Sequence, residues 1–134
     1  MSLLRFPGET GYPTFAPILY RDGQVGLNNL FRGDSLDKIL LVTIYGPAVL
    51  TTGRKICQTD SPFHKVQKIT PGSIAWAGIA SCYGISPDIE FSPVGGITKI
   101  NYDEDFHKYK KILIMGKDTL VMKELFQYFQ HEIF

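Results

Sequence analysis

The strongest hydrophobic periodicity lies at the C-terminal end of the chain. Met122, Leu125, Phe126, Phe129 and Ile133 recur at i, i+3, i+4, i+7 and i+11, one continuous helical face. Lys123, Glu124, Gln127, Gln130 and Glu132 fill the other side, and Asp118 stands where an N-cap would accept from open amides. The pattern predicts an amphipathic helix over 118–133. Upstream the pattern changes. Ile39, Leu40, Leu41, Val42, Thr43, Ile44 and Tyr45 form a run that is apolar on both faces, which predicts a central strand covered on both sides and ended by Gly46-Pro47. Ile18 to Leu27, with Asp22-Gly23 at its middle, reads as a β-hairpin, because glycine tolerates the positive φ of a two-residue turn.

Shorter strand-like runs cover Ala48 to Thr52, Arg54 to Thr59, His64 to Ile69, Ile89 to Phe91, Ile97 to Tyr102 and Lys111 to Met115, and Ile74 to Ala80 reads as a buried strand or, as the lesser alternative, one helical turn. Turn clusters at Thr70-Pro71-Gly72-Ser73, Ser86-Pro87-Asp88 and Gly95-Gly96 separate several of them. The expected fold class is therefore α+β and β-rich: mainly an antiparallel sheet or sandwich of roughly 6–8 short strands with one C-terminal amphipathic helix. No internal repeat is visible.

Residues 1–16 read differently, as an extended N-terminal arm ahead of a single globular domain over 17–134. Pro7, Pro13 and Pro17 oppose helix and push the residues before them towards extended geometry. Yet Leu3, Leu4, Phe6, Tyr12 and Phe15 are too many apolar groups for a solvated tail. They are the candidate partner-binding residues, and self-association through the arm is the expected interaction.

Composition narrows the functional classes. A chain of 134 residues fits one domain that needs neither metal nor disulfide for stability. Fourteen basic against thirteen acidic residues, a net charge of +1, argue against a nucleic-acid coating role, which draws on many phosphate contacts. No apolar stretch approaches the ~20 residues that span a bilayer, so no membrane partner is expected. The start lacks a lysine-rich segment followed by a sustained apolar run, so no signal peptide is read, and the expected location is the cytoplasm or a virion. Cys57 and Cys82 make neither a disulfide framework nor a zinc knuckle, and whether they pair is left open. Arg32-Gly33-Asp34 matches a cell-adhesion tripeptide, a match short enough to arise by chance.

Phosphate-binding, dinucleotide, zinc-protease, nucleophile-elbow and Cys-x-x-Cys motifs are all absent, and no cofactor is expected. Cys57 and His64 are the catalytic candidates, a thiol and a base close in sequence with Arg54 and Lys55 nearby to favour a thiolate. The bland alternative is a small core cysteine. Asp88 and Glu90, two apart on a presumed strand, would share a face and are the metal candidates, with Asp103, Glu104 and Asp105 as further oxygen donors. Solubilising turn residues are the plainer reading. His131 suits a helix C-terminus, and Trp76 reads as core, with a ligand or partner platform as the alternative.

The closing order of strand (Ile97 to Tyr102), strand (Lys111 to Met115) and amphipathic helix is similar to that of profilin-like and roadblock-like domains. That likeness implies a small intracellular protein-binding domain. The leading expectation is a non-enzymatic assembly subunit of a larger oligomer, for example a virus or phage particle component. An enzyme whose site gathers distant residues such as Cys57, His64, Asp88, Glu90 and His107 is the third reading.

Overall fold

In the computed structural model, residues 4–6, 11–45, 49–52 and 69–133 are described. They contain five helices and no sheet. The helices are α1 (Asp34–Tyr45), α2 (Val49–Thr52), α3 (Pro71–Gly84), α4 (Tyr102–Met115) and α5 (Leu120–Ile133), preceded by two single 3-10 turns, Pro17–Leu19 and Arg21–Gly23. The expected β-rich sheet or sandwich is therefore corrected to a helical fold. The likeness to profilin-like and roadblock-like domains falls with it, because Lys111 to Met115 is the last stretch of α4.

Each misread segment has a physical reason. The run Ile39 to Tyr45 lies in α1, where Leu36, Leu40 and Ile44 recur every four residues and are buried while Ile39, Leu41 and Val42 are half-buried. A helix covered on most sides carries the same unbroken apolar run as a buried strand. The same ambiguity hides α3. Ile74, Ala75, Ala77, Gly78, Ile79, Ser81 and Cys82 are all buried because α3 is packed between α1 and α4. A Cβ on Gly78 would sit 3.3 Å from the Tyr109 ring and from Leu19, so the missing side chain lets α4 approach closely.

The cluster Thr70-Pro71-Gly72-Ser73, expected as a turn, starts α3, and Asn101, expected within a strand, starts α4. Thr70 and Ser73 form a reciprocal capping box: the Ser73 amide donates to the Thr70 hydroxyl oxygen (3.2 Å) and the Thr70 amide to the Ser73 hydroxyl oxygen (3.0 Å). Pro71 then occupies the first turn, where its missing N–H costs nothing. Asn101 caps α4 by accepting from the Glu104 amide at 2.9 Å, and Asp103, Glu104 and Asp105 place negative charge at the positive end of the helix dipole. At α5 the cap is Thr119, whose hydroxyl oxygen accepts from the Met122 amide at 3.3 Å, and not Asp118. Met122, Leu125, Phe129 and Ile133 of α5 are buried; four such side chains contribute on the order of 6–12 kcal/mol before ordering entropy is subtracted.

Ile18 to Leu27 is not a hairpin. Asp22 and Gly23 do take positive φ (54° and 71°), but Pro17–Leu19 and Arg21–Gly23 coil into 3-10 turns, and Tyr20 forms an isolated antiparallel bridge with Leu30, beyond the expected second strand. The strand read at Arg54 to Thr59, and His64 to Ile69 apart from Ile69 itself, lies outside the described residues. Helices α1 and α5 are tied by the Tyr45 hydroxyl donating to the Ile133 carbonyl at 2.8 Å and by the Tyr128 hydroxyl donating to Asp37. No helix among the described residues is long and apolar enough to cross a membrane.

Candidate functional site

Two open apolar surfaces lie on α4, one towards α3 and one towards the turn into α5. The first is a cleft of about 290 Å³ lined by Trp76 and Ile79 of α3, Phe91, Ser92 and Pro93 of the connecting loop, and Tyr102, Asp103 and Phe106 of α4. Trp76, read as core, is 39% exposed, and Phe91 is 49% exposed. The Phe91 ring stands nearly perpendicular to Trp76 (centroids 5.8 Å apart) and to Tyr83 (5.1 Å), and is tilted 34° against Tyr102 at 5.7 Å.

What holds Phe91 there is Asp88. This carboxylate is 7% exposed and collects four donors: the Ile97 amide (2.8 Å) and Thr98 amide (2.9 Å) on Oδ1, and the Thr98 hydroxyl (2.7 Å) and Tyr102 hydroxyl (2.6 Å) on Oδ2. Burial alone would raise its pKa. The hydrogen bonds from Tyr102, Thr98 and Ile97 outweigh that and hold the carboxyl well below the usual range. The bonds that favour the Asp88 anion also disfavour the Tyr102 phenolate; burial first, and then Asp88, push that phenol up to about 12. A Cβ on Gly95 would lie 2.4 Å from Asp88 Oδ2, so only glycine leaves room for this junction.

Asp88 is thus the fastening of the 85–101 loop. Both its oxygens are committed to protein donors, whereas Glu90 is exposed. The structure does not bring the two together as a metal pair on a strand. Among the described residues no group of three or more His, Cys, Asp or Glu side chains is placed to hold a metal ion. Asp103 lies 3.6 Å from His107 and Glu104 2.8 Å from Lys108, both on the exposed side of α4. Asp105 is half-buried, and desolvation pushes its carboxyl up to about 6 despite the opposing field of Lys108.

The catalytic candidates Cys57 and His64 lie outside the described residues, as does Leu3 of the arm. Cys82 is buried, and desolvation pushes its thiol up to about 12, a protonated, unreactive state. Tyr109 donates to the Thr14 carbonyl, so the 3.9 Å contact between Cys82 and the Tyr109 oxygen has the thiol as donor. His131 is exposed near the end of α5, beside Glu132 at 3.5 Å.

The described residues of the arm rest on their own chain. Leu4 is 3% exposed, Phe6, Tyr12 and Phe15 are half-buried, and the Arg5 guanidinium stacks 4.8 Å above the Tyr12 ring. Phe15 packs edge-on against Phe31 (6.4 Å) and tilted by 39° against Tyr109 (5.3 Å). It also forms one wall of the second surface, an apolar groove of about 530 Å³ shared with Leu27, Ile112, Met115, Val121 and Met122 and rimmed by Lys108 and Lys111. Leu27 and Met115 are 65% and 74% exposed there. Lys108 is engaged by Glu104, while Lys111 has no ionic partner among the described residues.

Comparison with protein-family models, curated proteins and solved structures finds no match to this chain. Of the residues that line the two surfaces, the sequence singles out Phe15 as a partner-binding candidate and Trp76 as core or platform, and marks none of the others as lining a surface. The usable signal for the cleft was helical spacing: Trp76 and Tyr83 are seven apart on α3, and Tyr102 and Phe106 four apart on α4. That spacing carries meaning only once those segments are taken as helices.

Proposed function

We propose that this protein is a non-enzymatic assembly module that associates head to tail with further copies of itself. The supporting observation is the apolar groove at the α4–α5 turn, contiguous and open, with Lys111 on its rim. Scattered exposed apolar residues are ordinary on a monomer, but a contiguous patch edged by charge marks an interaction surface. The occupant with matching chemistry is on the same chain. Ile89 is 87% exposed at the tip of the 85–101 loop and is followed by the exposed Glu90. Ile89 would enter the groove of a second copy and Glu90 would face Lys111.

Tip and groove are different patches, so the contact is heterologous and repeats into rings or filaments. The arm contributes through Phe15, as a wall of the groove rather than as a strand lent to a neighbour. Light scattering over increasing protein concentration tests the reading. Rising mass that Met115→Glu abolishes, with far-ultraviolet circular dichroism unchanged, supports it. A constant monomer mass at every concentration would leave the groove to some other protein and overturn the reading.

A further inference from the structure

The cleft between α3 and α4 rests on observations separate from the groove. Its walls are aromatic, from three different segments: Trp76, Phe91 and Phe106, with the buried Tyr102 ring as floor. Two of these rings, Phe91 and Tyr102, are held in place before any ligand arrives. Phe91 is wedged among Trp76, Tyr83 and Tyr102, and the Tyr83 hydroxyl donates to the Ile89 carbonyl at 3.1 Å while Tyr102 is anchored to Asp88. The one charged group in the lining is an acid, Asp103.

We infer that this cleft binds a quaternary ammonium group, the head of choline or of a trimethylated lysine side chain. Such a cation spreads its charge over methyl groups, sheds water readily and is attracted to the negative faces of aromatic rings. A plain ammonium needs hydrogen-bond acceptors, and the cleft has few. The Ser92 hydroxyl donates to the Val94 carbonyl at 2.6 Å. It is the one neutral side-chain hydroxyl besides the committed Tyr102 in the lining, too few acceptors for the three N–H groups of a plain ammonium. A neutral apolar guest would fit the walls but gain nothing from Asp103. Tyr102 strengthens the case for a cation, because donating its hydroxyl to a carboxylate leaves its ring richer in electrons.

One field opposes a cation. The cleft lies beside the N-terminus of α4, whose dipole presents about half a positive charge. Asp103 and Glu104 in that first turn outweigh it, although Glu104 is shared with Lys108 and His107 lies 3.6 Å from Asp103 on the solvent side.

Trp76 is the sole tryptophan, so its fluorescence reports on the cleft directly. The test titrates the protein at constant ionic strength with tetramethylammonium, with choline, and with dimethylbutanol, the neutral choline analogue in which carbon replaces nitrogen. Expected is a saturable change with both cations in the millimolar range and binding of the alcohol weaker by about tenfold. Asp103→Asn, an exposed change that leaves packing untouched, weakens the cations by about threefold and leaves the alcohol unaffected. Peptides carrying trimethylated or unmodified lysine distinguish the source. Binding of the trimethylated peptide tighter than choline assigns the group to a protein, and equal binding assigns it to a small molecule. Equal affinity for choline and the neutral alcohol, or a cation response no different from sodium chloride, would overturn the inference.

Discussion

Replacing Asp88 by asparagine removes one acceptor oxygen and substitutes a donor for it, at a site where every neighbour is a donor. Turned with its oxygen towards the Ile97 and Thr98 amides, asparagine keeps those two bonds, and its NH2 faces the Thr98 and Tyr102 hydroxyls, which must turn from donors into acceptors; all four bonds lose the carboxylate charge. Hydrogen bonds to a charged group contribute roughly 1.5–3 kcal/mol each against about 1 for neutral ones, so neutralising all four sets a loss on the order of 2–4 kcal/mol once the smaller cost of burying a neutral group is credited. Loop 85–101 can open without the helices separating, so part of this loss appears as local opening. Two assays read it: urea unfolding for the global term, and hydrogen exchange at the Ile97 and Thr98 amides for the local one. The acid limb gives a second signature. The folded pKa of Asp88 is depressed, so its contribution is present in full above the unfolded value near 3.8 and is lost as pH falls below it. Wild type therefore loses stability on acidification in that window, and Asp88→Asn has a flatter profile there. A variant within ~1 kcal/mol of wild type, with unchanged exchange and the same acid limb, refutes the assignment of Asp88 as the fastening of the loop.

Asp105 carries the opposite sign. Its folded carboxyl is raised to about 6, so wild type loses stability as pH rises from near 4 through 6; Asp105→Asn gains relative to wild type over that interval, by on the order of 1–2 kcal/mol after allowing for its partial exposure, in urea melts at stepped pH. A wild type that gains stability over the same range contradicts this. Gly78→Val drives a branched side chain into Tyr109 and Leu19, 3.3 Å from the position of a Cβ, and costs about 1–3 kcal/mol in thermal or urea unfolding, whereas a neutral outcome would mean that α3 and α4 are not in contact there.

How much of this was legible follows from the helices one by one. α5 has one wet face, so its apolar positions stand out at the helical period and its bounds are found within a couple of residues. α1 and α3 are covered on most sides, and burial erases the periodicity that separates a helix from a strand. Caps would have settled α3 and α4: Thr70-Pro71 with Ser73, and Asn101 ahead of three acids, start helices as well as they make turns. The apolar end of α4, Lys111 to Met115, looks like a strand only when cut from the charged turns before it. The two surfaces needed the tertiary fold, since Phe91 and Trp76 meet across a loop that Asp88 closes, and Phe15 joins Met115 from the other end of the chain. Nothing local in the residues around Asp88 distinguishes a loop fastening from a solvated turn.

Assembly is tested most directly by mixing two charge-reversed proteins, Glu90→Lys and Lys111→Glu. In a head-to-tail contact each variant alone opposes like charges at every junction and sediments as a monomer, while an equimolar mixture alternates complementary junctions and recovers the wild-type mass. Variants that assemble like wild type on their own, or a mixture that stays monomeric while wild type assembles, would contradict the pairing of the Ile89–Glu90 tip with the Lys111 groove.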